Sequence, residues 1–312
     1  MRSVSGMETI ICVEGLRRAY GDVHAIRDVS FSVERGEVFG LLGPNGAGKT
    51  TTVECLQGLR GRDGGHVEVL GLDPARHPDR LRRRIGSQLQ SAALPDRLRV
   101  GEAVRFFARL QDRSVDVGQT LQDWELSGLR RRPFATLSGG QRQRLLLALA
   151  LLGEPEVVFL DELTAALDPA ARRATWELVR RVRDRGATVV LVTHFMEEAE
   201  ALCDRVAIVD SGQVVALDTP AALTTRSGGD VQVTFTADGR DVGFLRTLPG
   251  VISCTVEGGA VTVAGTSATP VHLAAALAQQ GIIPADFRIH HPSLEDVFLA
   301  RTGRSLSTEV TA

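Results

Sequence analysis

Apolar residues recur along this chain with two periods, and the period changes with position. Between residues 10 and 42, three runs (Ile10 to Val13, Val29 to Val33 and Val38 to Leu42) alternate with polar positions or stay unbroken between glycine and charged turns, the pattern of strands. The last run feeds a glycine-rich loop. Beyond it, Lys49 to Leu59 has helical composition and stops at Gly61, so the order is strand, loop, helix. From Val100 to Gly153 the apolar positions return at helical spacing (Val104, Phe107, Leu110; Leu145, Leu149, Leu152), with Pro95 and Pro133 as breaks. Short apolar runs then alternate with helices at Val157 to Leu160, Val189 to Val192 and Val206 to Val209, which predicts a buried parallel sheet. The expected class is α/β, with a helical insert inside the sheet core.

A Thr/Ser/Gly stretch from Thr224 to Asp230 marks a boundary. After it the pattern reads strand (Val231 to Thr236), helix (Val242 to Leu248), strands (Val251 to Val256 and Val261 to Ala264), helix (Val271 to Gln280) and strand (Phe287 to His290). That β-α-β-β-α-β order suits a small ferredoxin-like domain. The expected division is therefore 8–223, with a helical subdomain near 91–153, and a C-terminal accessory domain at 224–312.

The length of 312 residues fits one large or two unequal domains. Hydrophobic residues at 43% and charged residues at 24% describe a soluble globular chain. The net charge of −2 argues against a nucleic-acid partner, and the runs Arg82-Arg83-Arg84 and Arg130-Arg131-Arg132 read as solvated helix faces. The longest apolar run, Leu145 to Leu152, is far short of the roughly 20 residues of a membrane helix, and the N-terminus lacks a signal-peptide core, so a cytoplasmic location is expected. Four scattered cysteines without a CxxC pair imply neither zinc nor disulfides, and are expected to be reduced and buried. Lys49 is the only lysine among 36 basic residues, and Tyr20 the only tyrosine. A lysine kept where every other basic position is arginine points to a role that a planar guanidinium cannot fill.

Lys49 lies in Gly43-Pro44-Asn45-Gly46-Ala47-Gly48-Lys49-Thr50, a Gly-x-x-x-x-Gly-Lys-Thr loop followed by Thr51 and a helix. Such glycines let backbone N–H groups point at phosphates, and the helix adds its positive end. Lys49 is placed to bridge β- and γ-phosphates, and Thr50 to offer its hydroxyl to Mg²⁺. Val157 to Asp161 is an apolar strand ending in a carboxylate suited to the Mg²⁺ shell, and Glu162 after it can act as general base toward water. Leu137-Ser138-Gly139-Gly140-Gln141 opens an apolar helix; alone it is a cap, and beside the other two motifs it is a second anion site.

In motif order and spacing, residues 8–222 resemble the nucleotide-binding subunits of ABC transporters. The resemblance assigns Walker A to Gly43 to Thr50, the signature to Leu137 to Gln141, Walker B to Val157 to Asp161, the catalytic glutamate to Glu162, the D-loop to Ala166-Leu167-Asp168 and the switch histidine to His194. It places Tyr20 against adenine and a Q-loop glutamine at Gln90, chosen by its offset from Ile85-Gly86, with Gln88 as a rival. Mg²⁺ would then be held by Thr50, Gln90 and Asp161. The implied fold is the P-loop NTPase fold of ABC ATPases: a RecA-like core, an N-terminal antiparallel β-subdomain and an inserted α-helical subdomain, here with a small C-terminal α+β domain. Two positions depart from the family pattern: Leu163 stands where proline is common and Ala166 where glycine is common.

The resemblance further implies ATP hydrolysis with Mg²⁺, and a head-to-tail homodimer in which the signature of one copy closes on the Walker A of the other. The tail Pro292 to Leu299, followed by Thr302-Gly303-Arg304, resembles daunorubicin-resistance-type ATPases. Export of a drug or small amphiphile through a separate membrane permease follows, with this subunit peripheral on the cytoplasmic face. Two alternatives are a soluble ABC ATPase acting on ribosomes or DNA and an importer ATPase. The first would normally carry a second P-loop or a coiled-coil insert, and neither is present.

Overall fold

Strands that are apolar at every position need cover on both faces. In the computed structural model, β3 (Val38–Leu42), β6 (Val157–Asp161) and β7 (Thr188–Thr193) are buried throughout. The structure describes residues 8–88, 94–111, 113–164, 167–226, 230–237 and 239–303. The chain divides into two units, one running to Pro220 and the other starting at Ala221.

In the first unit β3, β6 and β7 join β5 (Ile85–Gln88) and β8 (Arg205–Asp210) in a parallel run ordered β5-β6-β7-β3-β8. The sheet continues through β9 (Gln213–Asp218), antiparallel to β8, which meets β2 (Val23–Glu34) at the single parallel pairing Asp28 to Gln213. Next come β1 (Thr9–Tyr20) and β4 (Gly64–Val69), both antiparallel, for nine strands among the described residues. β1 and β2 span twelve residues each, longer than the apolar runs predicted, because exposed positions such as Asp28 and Ser30 alternate with buried Val29 and Phe31.

α1 (Lys49–Leu56) follows β3, ending earlier than the composition suggested. Gly58 stops it: its φ of +70° is left-handed, and an added Cβ would meet the Pro74 carbonyl oxygen at 2.6 Å. α2 (Pro78–Arg82) leads to β5. Between β5 and β6 lie α3 (Val100–Leu110), α4 (Val117–Asp123) and α5 (Gly139–Ala150), the helical insert. α6 (Pro169–Asp184) and α7 (Met196–Leu202) flank β7 in sequence. Of the arginine runs, Arg130 to Arg132, Arg82 and Arg83 are exposed, whereas Arg84 reaches inward to Glu156 at 2.7 Å. Among the described residues no helix is long and apolar enough to cross a membrane.

α8 (Pro220–Arg226) leads into the second unit. There β10 (Val231–Thr236), β11 (Val251–Glu257), β12 (Ala260–Gly265) and β13 (Arg288–His290) form an antiparallel sheet ordered β11-β12-β10-β13. Val233, Phe235, Val261 and Val263 pack with Leu245 and with Leu273 and Leu277 of α9 (Thr269–Gln279). The segment expected as a helix at Val242 to Leu248 is a five-residue 3-10 turn, Gly243–Thr247, with Pro249 close behind. Pro249 disfavours a helical conformation at Leu248, which is extended (φ −71°, ψ 145°), so the turn stops there. α10 (Leu294–Thr302) is capped by Ser293, which accepts from the Asp296 N–H, and by left-handed Gly303. The four cysteines are free; Cys55 and Cys203 are buried, but Cys12 and Cys254 are only half-buried, contrary to expectation.

Candidate active site

The loop between β3 and α1 is shaped by close backbone packing. A Cβ on Gly43 would sit 2.1 Å from the Val209 carbonyl oxygen, and one on Gly48, where φ is +99°, would sit 2.3 Å from that of Ala25. Glycine is therefore required at both places by space as well as by conformation. Gly46, also left-handed, has open space before it. The loop closes with Ala47 N–H donating to the Pro44 carbonyl at 3.2 Å, and Gly212 N–H to that of Ala47 at 3.0 Å.

Lys49 is 5% exposed and folds back into its own loop, Nζ donating to the carbonyls of Gly43 (2.7 Å) and Pro44 (2.8 Å). Thr50 Oγ1 donates to Asp161 Oδ2 at 3.1 Å, joining the helix start to the end of β6. Asp161 is 3% exposed, and its Oδ1 is buried without a hydrogen-bond partner. Burial pushes the Asp161 carboxyl above the ordinary range, opposed by Thr50, reinforced by Glu162 and opposed again by Lys49.

Glu162 adopts φ +48°, an uncommon region for a non-glycine residue, and its N–H donates to the Val192 carbonyl at 2.9 Å. The turn sends its side chain toward His194, with Oε1 3.2 Å from Nδ1. His194 lies just beyond β7, its ring 4.1 Å from that of Phe195. Leu163, one of the two departures, is buried at 2% exposure, so it anchors the turn apolarly; Ala166 lies outside the described residues.

Over the loop opens a cleft of about 430 Å³ whose lining includes Tyr20, Asn45, Lys49, Thr50, Thr51 and Glu162. Tyr20 is 38% exposed, with the guanidinium of Arg18 4.8 Å and that of Arg60 5.6 Å from its ring centre. Leu137 to Gln141 do not line this cleft. Ser138 instead caps α5 reciprocally, its Oγ accepting from Gln141 N–H (3.4 Å) while Gln141 Oε1 accepts from Ser138 N–H (3.1 Å). Ser138 and Gly139 are exposed, leaving the start of α5 open to an anion. Asp168 caps α6, accepting from Ala170 (3.0 Å) and Ala171 (2.9 Å) N–H groups. Gln90 lies outside the described residues, and its rival Gln88 is buried at the end of β5.

Sequence reasoning missed the residues that support this constellation. Thr164 and Glu198 are both fully buried and joined at 3.0 Å, and Trp176 reaches the same carboxylate. Their sequence carries no local signal: Glu198 sits beside Glu197 in the acidic first turn of α7, where it reads as a solvated helix start.

The profile of the family described as ABC transporter matches residues 26–165. The chain is 38% identical to the Nod factor export ATP-binding protein I of Ralstonia nicotianae, over 96% of each chain. It is 37% identical to a daunorubicin resistance ATP-binding protein of Streptomyces coeruleorubidus, over 95% of this chain and 96% of the relative. It is 35% identical to the doxorubicin resistance ATP-binding protein of Mycobacterium tuberculosis, over 94% and 93%. Among solved structures, an ATP-binding subunit of an ABC transporter superposes with TM-score 0.64 at 30% identity, covering 70% of this chain and 94% of that one.

Proposed function

The chain belongs to the ABC transporter family, and we propose that it is the motor of a bacterial export system, closing on ATP as a homodimer and driving a separate membrane permease. It is an ATPase and an ATP-binding subunit of exporter type. The proposed cargo is a drug or other small amphiphile, supported by the relatives named for daunorubicin and doxorubicin resistance and Nod factor export. The observation that carries the reading is the chain of contacts from Thr50 to Asp161 and from Glu162 to His194 beside the phosphate loop.

In this reading Lys49 exchanges the carbonyls of Gly43 and Pro44 for the β- and γ-phosphates, a trade its flexible stem permits. Gly43 to Thr51 surround the phosphates, and Tyr20 stacks on adenine with its exposed face. Thr50 and Asp161 would hold Mg²⁺: a hydroxyl beside a buried carboxylate oxygen with no partner is a hard-oxygen donor set. When bound, the ion would neutralise phosphate charge. Gln90 completes the proposed shell. Glu162 takes the proton of the attacking water, and His194 orients that carboxylate.

The cleft is half of a site. Its other half, Leu137 to Gln141 with Asp168, is proposed to come from a second copy, whose exposed α5 start would meet the γ-phosphate. The permease is proposed to dock on the helical insert. A groove of about 390 Å³ lined by Leu59, Ile85, Leu94, Phe107 and Leu146 lies there, with Phe106 and Leu110 exposed at 53% and 66%. The chain would sit peripherally on the cytoplasmic face, with no nucleic-acid partner. The accessory domain, 224–312, is proposed to serve this assembly and not the chemistry.

Glu162→Gln tests the centre of the proposal. The variant should bind ATP, turn over at least a hundredfold more slowly and elute as a dimer in gel filtration with ATP. Normal hydrolysis by Glu162→Gln would remove Glu162 as the base.

A further inference from the structure

Two acidic residues open α7, Glu197 and Glu198, and both suit the positive end of a helix. Only one behaves as a surface acid. The Glu197 side chain is 81% exposed, whereas Glu198 is fully buried. Taking a carboxylate out of water costs several kcal/mol in general, and an apolar residue of similar size would commonly serve stability better. Its contacts explain what it does there. Oε1 accepts from Thr164 Oγ1 at 3.0 Å and from Trp176 Nε1 at 3.3 Å, while Oε2 has no partner.

Those two donors come from the parts of the site that must hold register. Thr164 lies two residues beyond Glu162, in the turn whose strained backbone aims that side chain. Trp176 lies on α6, the helix that Asp168 caps. Glu198 itself follows His194 by four residues, on the helix into which the His194 loop leads. A single oxygen thus pins the turn after Glu162, the Asp168 helix and the His194 loop to one another. Around it the same two helices are joined by Arg172, whose guanidinium lies 4.6 Å from the Phe195 ring centre, and by Arg180, which donates to the Ala201 carbonyl at 3.0 Å.

We infer that Glu198 is a positioning residue for hydrolysis: through Thr164 and Trp176 it fixes the relative placement of Glu162, His194 and Asp168. The inference rests on the assignment of Glu162 as base. Burial raises the Glu198 pKa above the usual carboxylate range, opposed by the nearby Thr193 and Thr164 hydroxyls, the Trp176 N–H and the charge of Arg172. Glutamine keeps a carbonyl oxygen in place of Oε1 that can accept the same two bonds, which makes it a faithful replacement.

The test is steady-state ATPase kinetics of the full chain with parallel ATP binding and thermal melts. Thr164→Val deletes one donor with little change of volume, Trp176→Phe deletes the other together with part of the ring, and Glu198→Ala deletes the acceptor. Each single-donor variant should lower kcat about tenfold or more, since a shift of about 1 Å can cost a hundredfold, with KM and ATP-binding stoichiometry within about threefold. Glu198→Gln should retain kcat within about threefold. Thr164→Val combined with Glu198→Ala should be little worse than Glu198→Ala alone, because both break one contact. The inference is overturned if Thr164→Val and Trp176→Phe keep kcat within twofold, or if kcat falls only in proportion to the ATP-binding fraction. Glu162→Gln in the same assay separates the two readings: full activity there removes the base, whereas an inactive Glu162→Gln beside an active Thr164→Val removes only the strut.

Discussion

Gly48→Ala is the most discriminating single change in the phosphate loop. Two separable penalties arise. The first is conformational: φ of +99° is a region that a Cβ disfavours by about 1–2 kcal/mol. The second is spatial. The new Cβ would lie 2.3 Å from the Ala25 carbonyl oxygen, while carbon and oxygen settle at about 3.3 Å, so the loop or β2 must move by about 1 Å. Forced displacement of packed structure adds about 1–3 kcal/mol, for a total of about 2–5 kcal/mol. Gly48 also accepts from the Thr52 N–H at 2.9 Å, so the displacement carries the start of α1, and with it the phosphate-facing N–H groups. Gly186→Ala is the control: φ is +92°, nothing lies within 4 Å of the new Cβ, and only the first penalty applies. Urea denaturation should show the smaller loss for Gly186→Ala and the larger for Gly48→Ala. Titration with a fluorescent ATP analogue should show affinity lost by tenfold or more in Gly48→Ala alone. Equal stability of the two variants, or unchanged nucleotide affinity in Gly48→Ala, would refute the packing argument.

Two further changes probe other parts of the chain. Tyr20→Phe should keep ATP affinity within about twofold, whereas Tyr20→Ala should weaken it by about 1–3 kcal/mol, the usual worth of a base on an aromatic ring; equal losses in the same titration would exclude stacking. Asp73 is held below the ordinary carboxylate range by the Arg62 hydrogen bonds at 2.8 and 2.9 Å, despite partial burial and with help from the Ala75 N–H and Arg76. Because the folded pKa is the lower one, the unfolded chain binds more protons in acid, so this stability is present above the unfolded pKa and is lost as pH falls through the folded one. Asp73→Asn should therefore lower the urea midpoint at pH 7 and flatten its decline below about pH 4; parallel curves for the two proteins would contradict this.

The parts legible in the sequence were those whose local pattern has one physical solution. β3, β6 and β7 are apolar runs that only a doubly covered parallel sheet can hide, and Gly43 to Thr50 demands a strand before it and a helix after. Where polar residues interrupt an exposed face, as in β1 and β2, pairing extended the strands beyond the apolar signal. At Val242 to Leu248 a helical composition yielded a 3-10 turn because Pro249 holds Leu248 extended. The supports of the site were invisible for a different reason. Glu198 carries the composition of a solvated helix start, and only its contacts with Thr164 and Trp176, 34 and 22 residues away in sequence, mark it as buried. A capping-box spacing at Ser138 and Gln141 was readable locally, but the exposure of that helix start was not.

That exposure bears on why the proposed motor needs two copies. The start of α5 lies beside the N-terminal end of α6: a Cβ on Gly139 would sit 3.5 Å from Leu167, and one on Gly140 3.9 Å from Ala171. That proximity sets the helix start proposed to bind an anion beside the helix that Asp168 caps, and so, through Trp176 and Glu198, near the turn bearing Glu162. On the proposed reading, a second copy's phosphates pressing on Ser138 would load the same strut that positions the first copy's base. Closure at one ATP would then be felt at the other without any contact between the nucleotides. A change at Thr164 should accordingly weaken cooperativity between the two sites, measured as the Hill coefficient of ATP hydrolysis, more than it weakens ATP binding. An unchanged Hill coefficient in Thr164→Val would confine the strut to its own site.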